Sequence, residues 1–231
     1  MIFESPLIPG VLIKRYKRFF ADVKVKDQLI TAHCPNTGSM MGLLSKNSKV
    51  WISKSNNEKR KLKYTLQVIE ENGKKVGVNT HFTNKIVHEA LNDKHITEFK
   101  NITKYKAEQK FGQNTRFDFL VSEHKEKSFI EVKNVTLSRT KGLAEFPDAI
   151  TSRGSRHIKD LISAKSKGYN SYLLFIIQRE DCNKFTIAKD IDPEYYKLLT
   201  LAIKKNVKIL CYDCKFSSKG IVLNNQIRIT I

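Results

Sequence analysis

Two hydrophobic rhythms divide this chain of 231 residues, and one gives way to the other near residue 80. Up to that point apolar and polar residues alternate in short runs, the period-two pattern of half-buried strands. Residues 11–25, 28–33 and 49–53 read as extended segments, and residues 63–70 and 75–80 as a hairpin. Its turn, Glu71-Asn72-Gly73, carries the Asn-Gly pair that suits the left-handed backbone of a tight two-residue loop. Five short strands in this stretch predict a small closed β-barrel over residues 1–80.

Beyond residue 80 the period lengthens. Residues 84–91, NKIVHEAL, form an amphipathic helix with Ile86, Val87, Ala90 and Leu91 on one side and Thr83 or Asn84 as cap. Residues 103–111 are extended, and residues 116–137 read as two strands joined by a charged turn. SRTKGLAEFPDA follows as a loop. A helix then starts at Asp148 or Thr151 and runs to about Ser166, with Ile150, Ile158, Leu161 and Ile162 facing a sheet and Gly168 closing it. Residues 171–178, SYLLFIIQ, are continuously apolar, as in a strand buried on both faces. Asp192 and Pro193 open a last helix, on which Tyr195, Leu198, Leu199 and Ala202 recur. Residues 207–212 are a strand, and residues 220–231 a hairpin around Asn224-Asn225. This order predicts a mixed sheet flanked by helices over residues 81–231.

The candidate chemistry lies in residues 116–137. Phe117, Phe119 and Val121 alternate with Arg116, Asp118 and Leu120; Phe129, Glu131, Lys133 and Val135 share one face of the next strand. Inward-facing carboxylates beside an ammonium are costly without a function. Asp118 and Glu131, helped by the main-chain carbonyl of Val132, can hold Mg²⁺ or Mn²⁺, and Lys133 can orient water or neutralise a phosphoryl group. Glu108, just upstream, is a further carboxylate, although a surface glutamate reads the same way. The spacing D-(x12)-E-x-K resembles the core signature of PD-(D/E)xK nucleases. An amphipathic hairpin with a solvated salt-bridge face fits the same three residues.

Charge widens the picture. Lys plus Arg number 42 against 23 Asp plus Glu, a net +19 spread over both halves. A broad positive surface draws polyanions, DNA or RNA, though a lysine-rich proteome would give a similar surplus. A barrel of the OB type binds single strands through basic and aromatic side chains. Candidates for such contacts are Lys14, Arg15, Lys17 and Arg18 in KRYKR, Lys59 and Arg60 in residues 56–61, and Asn36 and Thr37 in the loop HCPNTGSM. Arg153, Arg156 and Lys159 add a basic stripe on the helix ending near Ser166, and Arg153, Arg156 and His157 are further candidate contacts to nucleic acid. Solvated faces and plain turns are the competing readings for each. Cys211 and Cys214 form a C-x2-C pair within a strand and lack a second pair, so structural zinc is not expected. No membrane-spanning run or secretory pattern is visible, which implies a cytoplasmic protein. The oligomeric state is not legible.

Several separated motifs resemble the SfsA (sugar fermentation stimulation protein A) family. They are KRYKRFFADV (residues 14–23), HCPNTGSM (33–40), Asn79-Thr80, RFDFL (116–120), IEVKNVTL (130–137), FPDA (146–149) and TSRGSRH (151–157). The resemblance implies an N-terminal OB-like domain, a C-terminal nuclease-like domain, DNA binding, and a regulatory role in sugar (maltose) metabolism. Asp118, Glu131 and Lys133 would be the nuclease triad, with Glu108 a fourth member. The loop before FPDA, Arg139 to Leu143, is more basic than the family pattern suggests. A metal-dependent nuclease is the first expectation and a non-catalytic DNA-binding transcriptional regulator the alternative. A sugar-binding protein would want aromatic platforms, and Trp51 is the single tryptophan.

Overall fold

The computed structural model describes residues 1–113 and 115–231. The first six strands are β1 (Ile8–Tyr16), β2 (Phe20–Val25), β3 (Gln28–His33), β4 (Lys49–Lys54), β5 (Tyr64–Glu71) and β6 (Lys74–Gly77). They lie in the order β3-β2-β1-β4-β5-β6, and a parallel contact between His33 and Thr65 closes the first five into a barrel. Leu12, Val23, Ala32, Met40, Leu43, Val50, Ile52 and Leu66 fill it. Residues 11–25 are two strands rather than one. Lys17 and Arg18, both at positive φ (48° and 63°), turn the chain between them. No Asn-Gly marks this turn. The Arg15 guanidinium holds it instead, donating to the Arg18 carbonyl at 3.0 Å. The Asn72-Gly73 turn forms as the sequence predicts, with φ of 50° and 74°.

The second unit begins with α1 (His81–Asn92) and continues through β7 (Lys104–Phe111), β8 (Thr115–Glu123), β9 (Glu126–Val135), β10 (Leu137–Thr140), β11 (Gly142–Phe146), α2 (Ser152–Ser166), β12 (Asn170–Ile177), β13 (Cys182–Ile187), α3 (Pro193–Lys204), β14 (Lys208–Phe216), β15 (Ile221–Gln226) and β16 (Arg228–Thr230). The main sheet runs β15-β14-β12-β9-β8-β7. Its centre, β14, β12 and β9, is parallel, and β8, β7 and β15 are antiparallel to their neighbours. On β12, Tyr172, Leu174 and Ile176 join the core under α1, while Leu173, Phe175 and Ile177 join the core under α2 and α3. The doubly apolar run thus has the physical meaning its sequence suggests. The protein is an OB barrel followed by a mixed-sheet domain with three helices.

Several local expectations are overturned. Helix α1 starts at His81, so neither Thr83 nor Asn84 caps it, and the Asn79 side chain accepts the His81 N–H at 3.0 Å. The stretch read as a loop holds β10 and β11, which build a second sheet, β10-β11-β13-β16. Asn224 and Asn225 lie inside β15 rather than at a hairpin tip, because the last strand crosses to pair with β13. Ile150 is 80% exposed, not core-facing. Cys211 and Cys214, where no metal is expected, point into opposite cores, and burial raises both thiols well above their ordinary value.

The two units meet through polar contacts. The Asp148 carboxylate accepts the Ser39 hydroxyl and the Met40 N–H, each at 3.1 Å. Gly38 lies so close that a Cβ there would sit 2.8 Å from Asp148 Oδ2. Gln178, fully buried, donates to Asn134 at 2.6 Å and to Thr83 at 3.0 Å, and its carbonyl accepts Gly77 N–H at 2.8 Å.

Phe175 packs 4.5 Å from Phe185 and 5.4 Å from Phe146, ring to ring. Phe175→Ala is expected to cost about 3–5 kcal/mol in urea unfolding. Ile150→Ala should stay within about 0.5 kcal/mol of the parent. A large loss at Ile150 would restore it to the core and contradict the packing described here.

Candidate active site

Asp118 sits where its strand lets go of both neighbours. The β8–β9 ladder pairs Glu123 with Glu126 and ends at Phe119 with Ile130, one step short of Asp118. On the other side β7 pairs Ala107 with Phe119 and Gln109 with Phe117, skipping Glu108, which adopts φ 52°. The freed carboxylate takes over a backbone role. Asp118 Oδ2 accepts the Val132 N–H at 2.7 Å, and Oδ1 accepts the Asn84 amide of α1, also at 2.7 Å. Asp118 and Asn84 then line a cavity of about 350 Å³ with Lys85, His88, Ala107, Glu108 and Phe119.

Glu131 faces the opposite helix layer and is only 3% exposed. Its Oε1 accepts Lys133 Nζ at 2.6 Å and also meets His157 Nδ1 from α2. Arg153 Nε donates to His157 Nε2 at 3.4 Å, which leaves the ring proton on Nδ1, where it can be given to Glu131. Glu131 Oε2 is buried and has no hydrogen-bond partner, and neither has the hydroxyl of the fully buried Tyr195 on α3. Burial, then the negative charge of Glu131, pushes Asp118 up to about 6 against the pull of Val132 N–H, Asn84 and Lys133. Burial would also raise Glu131, but the His157 hydrogen bond and the Lys133 charge outweigh it and hold Glu131 below its ordinary value.

A buried carboxylate with an orphaned oxygen, Glu131, beside a half-buried one, Asp118, suits a hard divalent cation. With the Val132 carbonyl they would supply the oxygen donors Mg²⁺ or Mn²⁺ takes, water completing the shell. Among the described residues no three His, Cys, Asp or Glu side chains form a ready-made cage.

The structure therefore brings Asp118, Glu131, Val132 and Lys133 together. Glu108 lies at the cavity rim, exposed, with Arg116 at 3.9 Å. His157 is turned inward to Glu131 and is 4% exposed, so it is not presented for a nucleic-acid contact; Arg153, Arg156 and Lys159 are exposed on α2. Arg15 is committed to backbone carbonyls, donating to Asn36 at 2.7 Å and Gly38 at 3.0 Å. Asn36 is buried and accepts Gly38 N–H at 2.9 Å, a local turn bond. Thr37, Lys14, Lys17, Arg18 and Lys59 are exposed, and Arg60 is half-buried, donating to Thr65 at 3.2 Å. Sequence reasoning missed Asn84 as the partner of Asp118. Its signal was helical phase: Asn84 and His88 are four residues apart and share the cavity side of α1.

Because its folded pKa is raised, Asp118 favours the folded state below its ordinary value of 3.8, and that contribution is lost as pH rises through about 6. In EDTA, Asp118→Asn should therefore gain stability relative to the parent by about 2–3 kcal/mol between pH 4 and pH 7 in urea unfolding. A difference independent of pH would show that Asp118 titrates normally.

The family model described as the SfsA N-terminal OB domain matches residues 13–78, and the one described as the sugar fermentation stimulation protein RE domain matches residues 81–220. A sugar fermentation stimulation protein homolog of Pelagibacter ubique is 55% identical over 229 residues, 99% of each chain. The homolog of Bartonella henselae is 43% identical over 231 residues, 99% of this chain and 98% of its own. Among solved structures, that of Pyrococcus furiosus SfsA in complex with Ca²⁺ superposes with a TM-score of 0.90 at 27% identity, covering 100% of this chain and 98% of that one. Matched in both domains and over nearly its whole length, the chain belongs to the SfsA, or sugar fermentation stimulation protein, family.

Proposed function

We propose that this protein binds nucleic acid, DNA in the first instance, and hydrolyses its phosphodiester bonds at a divalent-metal site formed by Asp118, Glu131 and the Val132 carbonyl. The observation that carries the reading is the buried Glu131, one of whose oxygens lacks any partner, beside the half-buried Asp118 whose pKa its charge raises. The Pyrococcus relative, solved in complex with Ca²⁺, supports a taste for hard cations in the same fold.

When bound, the cation supplies Lewis-acid stabilisation and lowers the pKa of water. The chain's own groups do the rest. His157 and Lys133 fix Glu131 in one rotamer, and Asn84 and the Val132 N–H fix Asp118. Lys133 Nζ keeps donors beyond its bond to Glu131 and can steady an attacking water or a phosphoryl oxygen. Arg153 and Arg156 on α2, with Lys14, Lys17, Arg18 and Lys59 on the barrel, offer exposed cations to the phosphate backbone. A net charge of +19 favours association with polyanions at low salt.

One observation favours a second reading. Asp118 already has two protein donors, an arrangement that is stable without metal. On that reading the protein is a DNA-binding regulator on a nuclease scaffold.

A cleavage assay separates the two. Supercoiled plasmid, linear duplex, single-stranded DNA and RNA are incubated with protein in Mg²⁺, Mn²⁺ or EDTA. Cutting is expected with metal, slowed about 100-fold or more by Glu131→Gln or Lys133→Met, while binding persists. Binding without cutting in every metal, unchanged in the variants, would leave the regulator.

A further inference from the structure

A second cavity, of about 400 Å³, lies between the barrel and the start of α1, apart from the Asp118 site. Its lining is unusually cationic. His33 comes from β3, Lys54 from β4, Arg60 from the following loop, and His81 and Lys85 from α1. Glu4 is the one carboxylate in the lining; its side chain is 83% exposed and reaches only Lys85, at 3.5 Å. Among the described residues, no carboxylate pairs with His33, Arg60 or His81. Arg60 bonds to a neutral hydroxyl, that of Thr65.

The backbone adds to the same sign. Helix α1 has no acidic residue in its first turn, and Thr80 at its N-cap makes no side-chain cap bond, donating instead to the Pro35 carbonyl at 2.8 Å. No acid offsets the positive end of the helix dipole at the cavity wall, although its first N–H groups are taken: Asn79 accepts those of His81 and Phe82, and the Thr80 carbonyl that of Thr83. The floor is a fixed polar relay. Asn79 donates to Gln67 at 2.8 Å, and Gln67 donates to Ser53 at 2.7 Å. That chain leaves the Ser53 hydroxyl hydrogen to point into the cavity. Phe3 and Phe82, with ring centroids 6.0 Å apart, form an apolar wall beside it.

We propose that this cavity binds a phosphate monoester carried on a body of mononucleotide size. The guanidinium and two ammoniums supply charge and donors for the phosphoryl oxygens, the two imidazoles add further donors, and the α1 dipole adds a field of the same sign. The relay and the phenylalanines take the polar and flat parts of the body. A volume of about 400 Å³ lies within the range of small-ligand sites and is walled by three barrel elements and a helix, which suits an end or a small molecule rather than a continuing strand. His33 supports the assignment: burial, then the charges of Arg60 and His81, lower its pKa, a strain that an anion in the cavity would relieve. Two sources share this chemistry, the phosphorylated end of a nucleic-acid strand and a free phosphorylated compound. Lys85 borders this cavity and the Asp118 cavity alike, so a strand end held here would lead toward the candidate active site.

The test is run in EDTA, so it does not depend on the hydrolytic reading. Binding is measured by calorimetry for a short oligothymidylate with phosphate or hydroxyl ends, a nucleoside 5′-monophosphate against its nucleoside, a hexose phosphate against its hexose, and inorganic phosphate. Arg60→Gln and His33→Gln are compared with the parent and with Lys204→Gln, an exposed residue on α3, in the helix layer on the other face of the sheet from α1, after thermal melts confirm folding. At least one phosphorylated probe should bind about tenfold or more tightly than its unphosphorylated partner. Arg60→Gln and His33→Gln should abolish that advantage, and Lys204→Gln should keep it. An advantage confined to the oligonucleotide assigns the site to strand ends; one shared by the monophosphates assigns it to free compounds. Equal affinities across every pair, or an advantage that survives both cavity variants, would overturn the proposal.

Discussion

Two carboxylates close enough to feel each other's charge, Glu131 buried and Asp118 half-buried, are the constraint to which this fold answers. Taking a carboxylate out of water is expensive, and a like charge nearby makes it more so. Asp118 shows the cost in its raised pKa, near 6. Glu131 escapes it because an ammonium and an imidazole close on one of its oxygens. The partners come from both helix layers, Asn84 from α1 on one face of the sheet and His157 from α2 on the other. A sheet with a helix layer on one face only could not furnish both. The site thus requires the architecture around it, and the unpartnered Glu131 Oε2 shows that the protein's own groups stop short of full compensation.

The strand break at Asp118 follows from the same demand. A carboxylate within a continuous antiparallel ladder would stand perpendicular to the sheet and could not reach a main-chain N–H on the next strand. Ending the β8–β9 ladder at Phe119 and putting Glu108 in the left-handed region frees Asp118 to take the Val132 N–H. The break is tolerable because flanking residues are fully committed. Phe117 and Phe119 are buried in the cores on opposite faces, so the strand is anchored just before and just after the release point. Ladder hydrogen bonds are lost only where a side chain replaces them.

Legibility in the sequence tracked how local each signal was. The D-(x12)-E-x-K spacing was readable because a two-strand hairpin fixes it, and the SYLLFIIQ strand because burial on both faces leaves no polar position. Residues whose roles depend on distant partners were opaque. Arg15 reads as a phosphate contact within KRYKR, yet its guanidinium is spent on the carbonyls of residues 18, 36 and 38. His157 reads as a candidate nucleic-acid contact until α2 docks and turns it onto Glu131. The final strand looked like half of a hairpin because Asn224-Asn225 is a good turn pair; pairing with β13 overrode that local preference, since β16 gains a parallel partner from 44 residues upstream, where Thr186 donates to the Thr230 carbonyl.

Helix α1 is where the two units become one device. Its apolar side, Phe82, Ile86, Val87 and Ala90, is sealed into the core beneath the sheet, so its orientation is not free. What remains is a polar side that begins with His81 against the barrel and proceeds through Lys85 to Asn84 and His88 at Asp118. At 1.5 Å of rise per residue, the distance from His81 to His88 is about 10 Å. Thr83, between them, joins Asn134 and Gln178 in a buried network whose Gln178 carbonyl takes the Gly77 N–H of the barrel. Any movement of the barrel is therefore felt by the helix that also positions Asp118, through hydrogen bonds that are costly to break when buried. His81 and Lys85 at one cavity and Asn84, which holds the Asp118 carboxylate, at the other are carried by a single rigid element, and this, more than the net surplus of lysine, is what makes the basic character of the chain structurally specific.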